Sequence, residues 1–147
     1  MLHGTPKQKV LGDDGGCFAA ALAAVNRCGG VLEHPEATHA FKAHGLAKPP
    51  RNGGWIRSGL GWVCCVEQGH YGHRARKATW LYYVGVRQPK DLVWGPSSGK
   101  HRIDNCRERK RGEARSKLHG AELRATPIEF RNVLLDLAYL SRCYPSV

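Results

Sequence analysis

Two apolar stretches, Trp62 to Gln68 and Thr79 to Val86, give the clearest pattern along the 147-residue chain. Each has strand length and is rich in β-branched and aromatic residues, so each is predicted to be a β-strand. The segment His70-Tyr71-Gly72-His73-Arg74-Ala75-Arg76-Lys77 joins them; if they pair as a hairpin, its tip presents Arg74, Arg76 and Lys77 together. Upstream, Gly12-Asp13-Asp14-Gly15-Gly16 offers capping carboxylates and flexible backbone before an alanine-rich helix predicted over Cys17 to Val25. Asn26-Arg27-Cys28-Gly29-Gly30 supplies its stop. Gly30 to Pro35 reads as a short strand with Glu33 and His34 at its tip. Pro35 can open a helix through about residue 44, with Ala37, Ala40, Phe41 and His44 on one face. Residues 45 to 61 read as a loop anchored by Trp55 and Ile56, and Gln88 to Ser98 as an irregular traverse. Thr126-Pro127 opens a closing amphipathic helix with Phe130, Val133, Leu134, Leu137, Ala138 and Leu140 on its apolar face. Helix, strand and helix in succession is α/β grammar, in which ligands gather at the carboxyl ends of strands.

Charge adds a partner class to this outline. The chain has 23 Lys+Arg against 12 Asp+Glu, a formal net charge of +11, so attraction to a polyanion is expected and nucleic acid is the first partner to consider. Lys100 to Lys117 alone carries eight Lys/Arg and three Asp/Glu. It is expected to form a basic surface segment at about 96–120 within one domain spanning 1–147. At 41% hydrophobic residues the chain can build a real core. No apolar window approaches a membrane span, and the amino terminus lacks the pattern of a secretory signal. The cysteines at 17, 28, 64, 65, 106 and 143 form no CxxC pair, which fits reduced thiols and a cytoplasmic location.

Candidate chemistry centres on the strand tip and the hairpin tip. Glu33 can donate to a ring nitrogen when protonated or accept from an amine when ionised; equally it can be a surface carboxylate paired with His34 or an arginine. Arg74, Arg76 and Lys77 suit phosphate binding, with a solvated hairpin tip as the alternative. Tyr71 and Trp80 can stack on bases or belong to the sheet. His70 and His73 lie near Cys64 and Cys65, but adjacent cysteines in a strand face opposite ways, so no metal site is assigned. Walker, G-x-G-x-x-G, H-E-x-x-H and G-x-S-x-G motifs are all absent.

Val31-Leu32-Glu33-His34-Pro35 and Tyr71-Gly72-His73-Arg74-Ala75-Arg76-Lys77-Ala78-Thr79-Trp80, with Thr126-Pro127, Phe130 and Leu134 behind them, resemble the carboxyl-terminal part of phage and bacterial DNA cytosine-5 methyltransferase-like proteins. The first segment resembles the family's Glu-Asn-Val/Pro run, whose glutamate contacts the target cytosine; the second resembles its arginine-rich motif. His34 stands where the family has Asn, and Arg74 where it commonly has Pro. A glycine-rich S-adenosylmethionine loop and a Pro-Cys nucleophile segment are both missing. The resemblance implies an incomplete Rossmann-like methyltransferase sheet, α/β in class, with a β-hairpin and flanking helices. It implies a DNA-associated protein of a bacterial or phage-infected cell that lacks autonomous catalysis, with Glu33, Arg74 and Arg76 as catalytic-site residues. Arg74, Arg76, Lys77, Arg107, Arg109, Lys110 and Arg111 are then the expected nucleic-acid contacts. No cofactor is expected for the isolated chain; S-adenosylmethionine enters only if a methyltransferase partner subunit completes the site. The alternatives are such a partner-completed cytosine methyltransferase, or a structural or interaction protein that uses an incomplete sheet edge and forms a homo-oligomer.

Overall fold

A computed structural model describes residues 13–101, 118 and 120–141. In chain order the elements are α1 (Cys17–Cys28), β1 (Gly30–Pro35), α2 (His39–Ala43), β2 (Ile56–Ser58), β3 (Gly61–Glu67), a 3-10 turn (Gln68–Tyr71), β4 (Ala78–Val84), α3 (Gly120–Arg124) and α4 (Ile128–Leu140). The strands form one sheet in the order β1-β4-β3-β2. Every neighbouring pair is antiparallel: Glu33 lies opposite Leu81, Cys64 opposite Leu81 from the other side, and Arg57 opposite Trp62.

This arrangement overturns the Rossmann-like expectation, because no two neighbouring strands of the sheet run parallel and no helical crossover links sheet neighbours. The cause is local. Pro35 ends β1 instead of opening a helix, and the chain then turns through Ala37, which has φ 62°. Thr38 accepts a hydrogen bond from the Ala40 N–H at 3.1 Å, so α2 starts late and lasts five residues. The stretch expected as a loop over 45–61 contains β2, which pairs with the start of β3.

The apolar runs of β3 and β4 are continuous because both faces of the sheet are covered. On one face Phe18 of α1 and Phe41 of α2 pack with Leu32, Leu46, Val63, Cys65, Trp80 and Tyr82. On the other, Phe130 and Leu137 of α4 pack with Trp55, Cys64, Val66, Leu81 and Tyr83. Cys64 and Cys65 therefore enter different cores, as alternation along a strand requires. Fully burying a side chain such as Leu81 or Phe130 contributes roughly 1.5–3 kcal/mol, and these two layers supply most of the apolar burial.

Each covering helix has a definite end. The Asp14 carboxylate accepts from the N–H groups of Gly16 at 3.0 Å and Phe18 at 2.8 Å, which satisfies the start of α1 and lowers the Asp14 pKa. Gly29, at φ 75°, closes α1 by donating to the Val25 carbonyl at 2.9 Å. A Cβ at Gly29 would stand 2.7 Å from the Ser141 carbonyl oxygen, so glycine here also lets the end of α4 approach.

Candidate functional site

The basic segment between β3 and β4 is not an open loop. Gln68 and Gly69 donate backbone hydrogen bonds to the carbonyls of Lys77 and Arg76, extending the ladder into the turn. His73 folds inward; its Nδ1 lies 3.0 Å from both the backbone nitrogen and the carbonyl oxygen of Ala75, so the ring is tied to the turn whichever nitrogen carries the proton. Burial lowers the His73 pKa, an effect only partly offset by neighbouring backbone groups of Ala75, Leu123 and Glu122. The imidazole is thus a buried spacer between the turn and α3.

The flanking charges also face α3. Arg74 forms a 2.7 Å ion pair with Glu122, both side chains being largely exposed. Lys77 donates from Nζ to the carbonyl oxygens of Ala125 at 2.9 Å and Arg124 at 3.3 Å, which places a cation at the carboxyl end of α3. Arg76 is half-buried, and its Nε is shielded with no hydrogen-bond partner. Arg107, Arg109, Lys110 and Arg111 lie outside the described residues.

Glu33 sits inside β1 and not at its tip, on the face that α4 covers. Its side chain reaches solvent, yet the surrounding protein raises its carboxyl pKa by desolvation, opposed by the charge of Lys77. Lys77 is shifted down by the same desolvation, opposed by Glu33. Each charge favours the ionised form of the other, while the Lys77 ammonium itself is hydrogen-bonded to the end of α3. Arg74 is directed instead to Glu122, so the three residues expected at one catalytic centre have different partners.

His34 lies on the opposite face. Its ring meets Phe18 edge-on at 5.3 Å, and His44 meets the same phenyl ring at 4.9 Å. His34 Nδ1 and His44 Nε2 are buried without hydrogen-bond partners. Burial lowers the His34 pKa, with Asp14 acting the other way. Trp80 packs against Phe41 in the same core, and Tyr71 packs against Phe130, so both aromatics are used internally. Burial pushes the Cys65 thiol up to about 11 and raises Cys64 further, which keeps both as unreactive thiols at neutral pH. Among the described residues no group of three His, Cys, Asp or Glu side chains is placed to hold a metal ion.

Gly15 and Gly16, which precede α1, do not form an anion cradle. The Asp14 carboxylate already occupies the first N–H groups of the helix, and a second negative group there would be repelled. No helix among the described residues is long and apolar enough to cross a membrane.

The most distinctive surface lies on α4. Its inward face carries Phe130 and Leu137, while Ile128, Leu135 and Tyr139 on the other side are 66, 59 and 64% exposed, and Leu140, on the flank next to Leu137, is 57% exposed. Beside them an open groove of about 330 Å³ runs between α4 and the 90–92 segment, lined by Lys90, Leu92, Val133, Asp136, Leu137, Tyr139 and Leu140. A helix that is apolar on two opposite faces has more apolar surface than one sheet can cover. The signal was present in the sequence: Ile128, Leu135 and Tyr139 recur at helical spacing beside the stripe assigned to the core. Leu140, expected in that stripe, is part of the exposed set.

No protein-family model, curated protein or solved structure matches the chain. With no family match and an all-antiparallel sheet, the DNA-associated, Rossmann-like methyltransferase reading falls, and its function and identity terms fall with it.

Proposed function

We propose that the chain is a protein-interaction module whose docking surface is the outer face of α4 and the adjoining groove, and that the surface receives the apolar face of another helix. The observation that carries this reading is the exposure of Ile128, Leu135 and Tyr139 in one row on a helix whose opposite side is already packed. Helix-in-groove recognition uses anchors at this kind of spacing. The other large exposed apolar residues among those described, Ile56 at the start of β2 and Leu60, Val86 and Val93 in loops, are scattered singly, a normal feature of protein surfaces. On α4 they are aligned, and a groove with one cation, Lys90, and one anion, Asp136, borders the row.

The test uses a helix-stabilised synthetic peptide of residues 127–141 as the probe, titrated into the isotopically labelled chain. Saturable binding that shifts amide signals at 128, 135 and 139, and that is lost in Leu135→Glu, is the expected result. Binding that leaves those signals unmoved, or survives Leu135→Glu, would rule out this face as the docking surface.

A further inference from the structure

The row on α4 has an internal charge pattern that identifies its partner. At 3.6 residues per turn, Ile128, Asn132, Leu135 and Tyr139 fall within a sector about 60° wide, and Arg131 and Asp136 flank it about 40° beyond either side. All six belong to one heptad frame. Asn132 and Tyr139 take the a positions, Ile128 and Leu135 the d positions, Arg131 a g position and Asp136 the following e position. Phe130 and Leu137, on the opposite side, remain committed to the sheet.

We infer that the partner is a second copy of this chain, docked with the two α4 helices parallel about a two-fold axis. The inference rests on the interaction reading above and specifies its occupant. In a parallel pair, a g residue on one helix faces the e residue of the next heptad on the other, so Arg131 meets Asp136 of the second copy, and the reciprocal pair forms by symmetry. Both side chains are exposed in the single chain, and opposite charges stand at the positions where a second copy needs them. In an antiparallel pair, g faces g and e faces e across the seam, and Arg131 and Asp136 would be on opposite sides of it.

Asn132 strengthens the choice. A single asparagine at an a position pairs with its symmetry mate in a parallel dimer and fixes register, at a cost in stability. The seam spans less than two heptads, about 20 Å of helix, so a weak, concentration-dependent dimer is the expected form. Each copy carries a formal charge of +11, and long-range repulsion between copies must be screened; association is therefore expected at physiological ionic strength and weaker at very low salt.

Sedimentation equilibrium of the full chain, with circular dichroism confirming the fold of each variant, tests the inference. The wild type should show a monomer–dimer equilibrium, and Leu135→Glu should weaken it by roughly tenfold or more. Arg131→Asp and Asp136→Arg should each weaken self-association, because each sets like charges against one another. An equimolar mixture of those two variants should restore dimers, since both cross pairs are then opposite in charge. A wild type that stays monomeric at all concentrations would overturn the second-copy assignment; binding of the 127–141 peptide by that same monomer would leave the interaction reading standing. A dimer whose charge variants are not restored by mixing would overturn the parallel register.

Discussion

Helices α1 and α4 cover opposite faces of the same sheet and have nearly the same length, 12 and 13 residues, but they differ on their solvent sides. The outward positions of α1 include Ala19, Ala20, Ala21, Ala23 and Ala24, all exposed. Alanine is the strongest helix former and exposes little apolar area, so this helix has finished its packing when Phe18, its one buried residue, and the partly buried Leu22 and Val25 meet the core. Outward on α4 stand Ile128, Leu135, Tyr139 and Leu140. Isoleucine is a poorer helix former than alanine, and Ile128 and Leu135 keep more than half of their surface exposed among the described residues, so burial there accounts for little of their presence. Small residues mark a finished surface; large ones in a row mark a surface completed by something else.

The largest effect should separate the two sides of α4. Phe130→Ala removes a fully buried ring that packs 5.5 Å from Tyr71, and it should destabilise the chain by about 3–5 kcal/mol. Leu135→Ala, measured at dilution, should change unfolding free energy by no more than about 0.5 kcal/mol, because the residue is 59% exposed among the described residues. Urea unfolding of both variants gives the comparison directly. Comparable losses at the two positions would mean that the outer face is part of the folded core.

Next in size is the junction where the ends of the two helices approach each other. Gly29→Ala would adopt φ 75° with a side chain and press its Cβ against the Ser141 carbonyl. A cost of about 1–3 kcal/mol is expected, from strain together with displacement of the end of α4. Faster amide exchange at the carboxyl end of α4 should accompany it. Exchange that increases only within α1 would show that the two ends are not coupled.

Protonation should act on the α1 side. Burial holds the His34 pKa below its ordinary value of 6.5, so as pH falls the unfolded chain takes up a proton there before the folded chain does. The His34 contribution to stability is therefore complete above 6.5 and lost as pH falls through the folded-state value. Glu33 has the opposite dependence, since its raised pKa gives a contribution present below 4.5 and lost as pH rises through its folded value. His34→Gln removes only the first, and its stability should vary less with pH between neutrality and mild acid than that of the wild type. Equal slopes for the two proteins in chemical unfolding at several pH values would exclude His34 as the group responsible.

Much of this architecture was legible in the chain. Residues Gly30 to Pro35, the two apolar runs and the closing helix were found within a few residues because their burial pattern is local. Strand direction was not, because a run buried on both faces is common in parallel sheets, and here α1 and α2 on one side and α4 on the other produce the same pattern in an antiparallel one. The three-residue β2 was hidden because it is too short to alternate visibly and is defined by its pairing with β3. At the candidate site, the basic cluster was visible but its partners were not. Glu122 and the carbonyls of Arg124 and Ala125 lie 47 to 48 residues further along the chain, and no local pattern connects them to Arg74 and Lys77.

Those contacts predict the smallest effects, and they bear on how α4 is held in place. Arg74 and Glu122 are 57 and 58% exposed, and an exposed ion pair contributes about 0–1 kcal/mol. A double-mutant cycle of Arg74→Ala and Glu122→Ala should give a coupling near the lower end of that range, declining with added salt. Lys77→Met should cost more, about 1 kcal/mol, because it removes both hydrogen bonds that hold the α3–α4 connection to the sheet while keeping most of the aliphatic stem. If Arg74 proved the more costly of the two, the orientation of α4 would depend on a surface ion pair, and its outer face would be sensitive to salt before any partner bound. If Lys77 is the more costly, as the burial of its stem and its paired carbonyl acceptors require, α4 is presented rigidly and the salt response of self-association belongs to the interface.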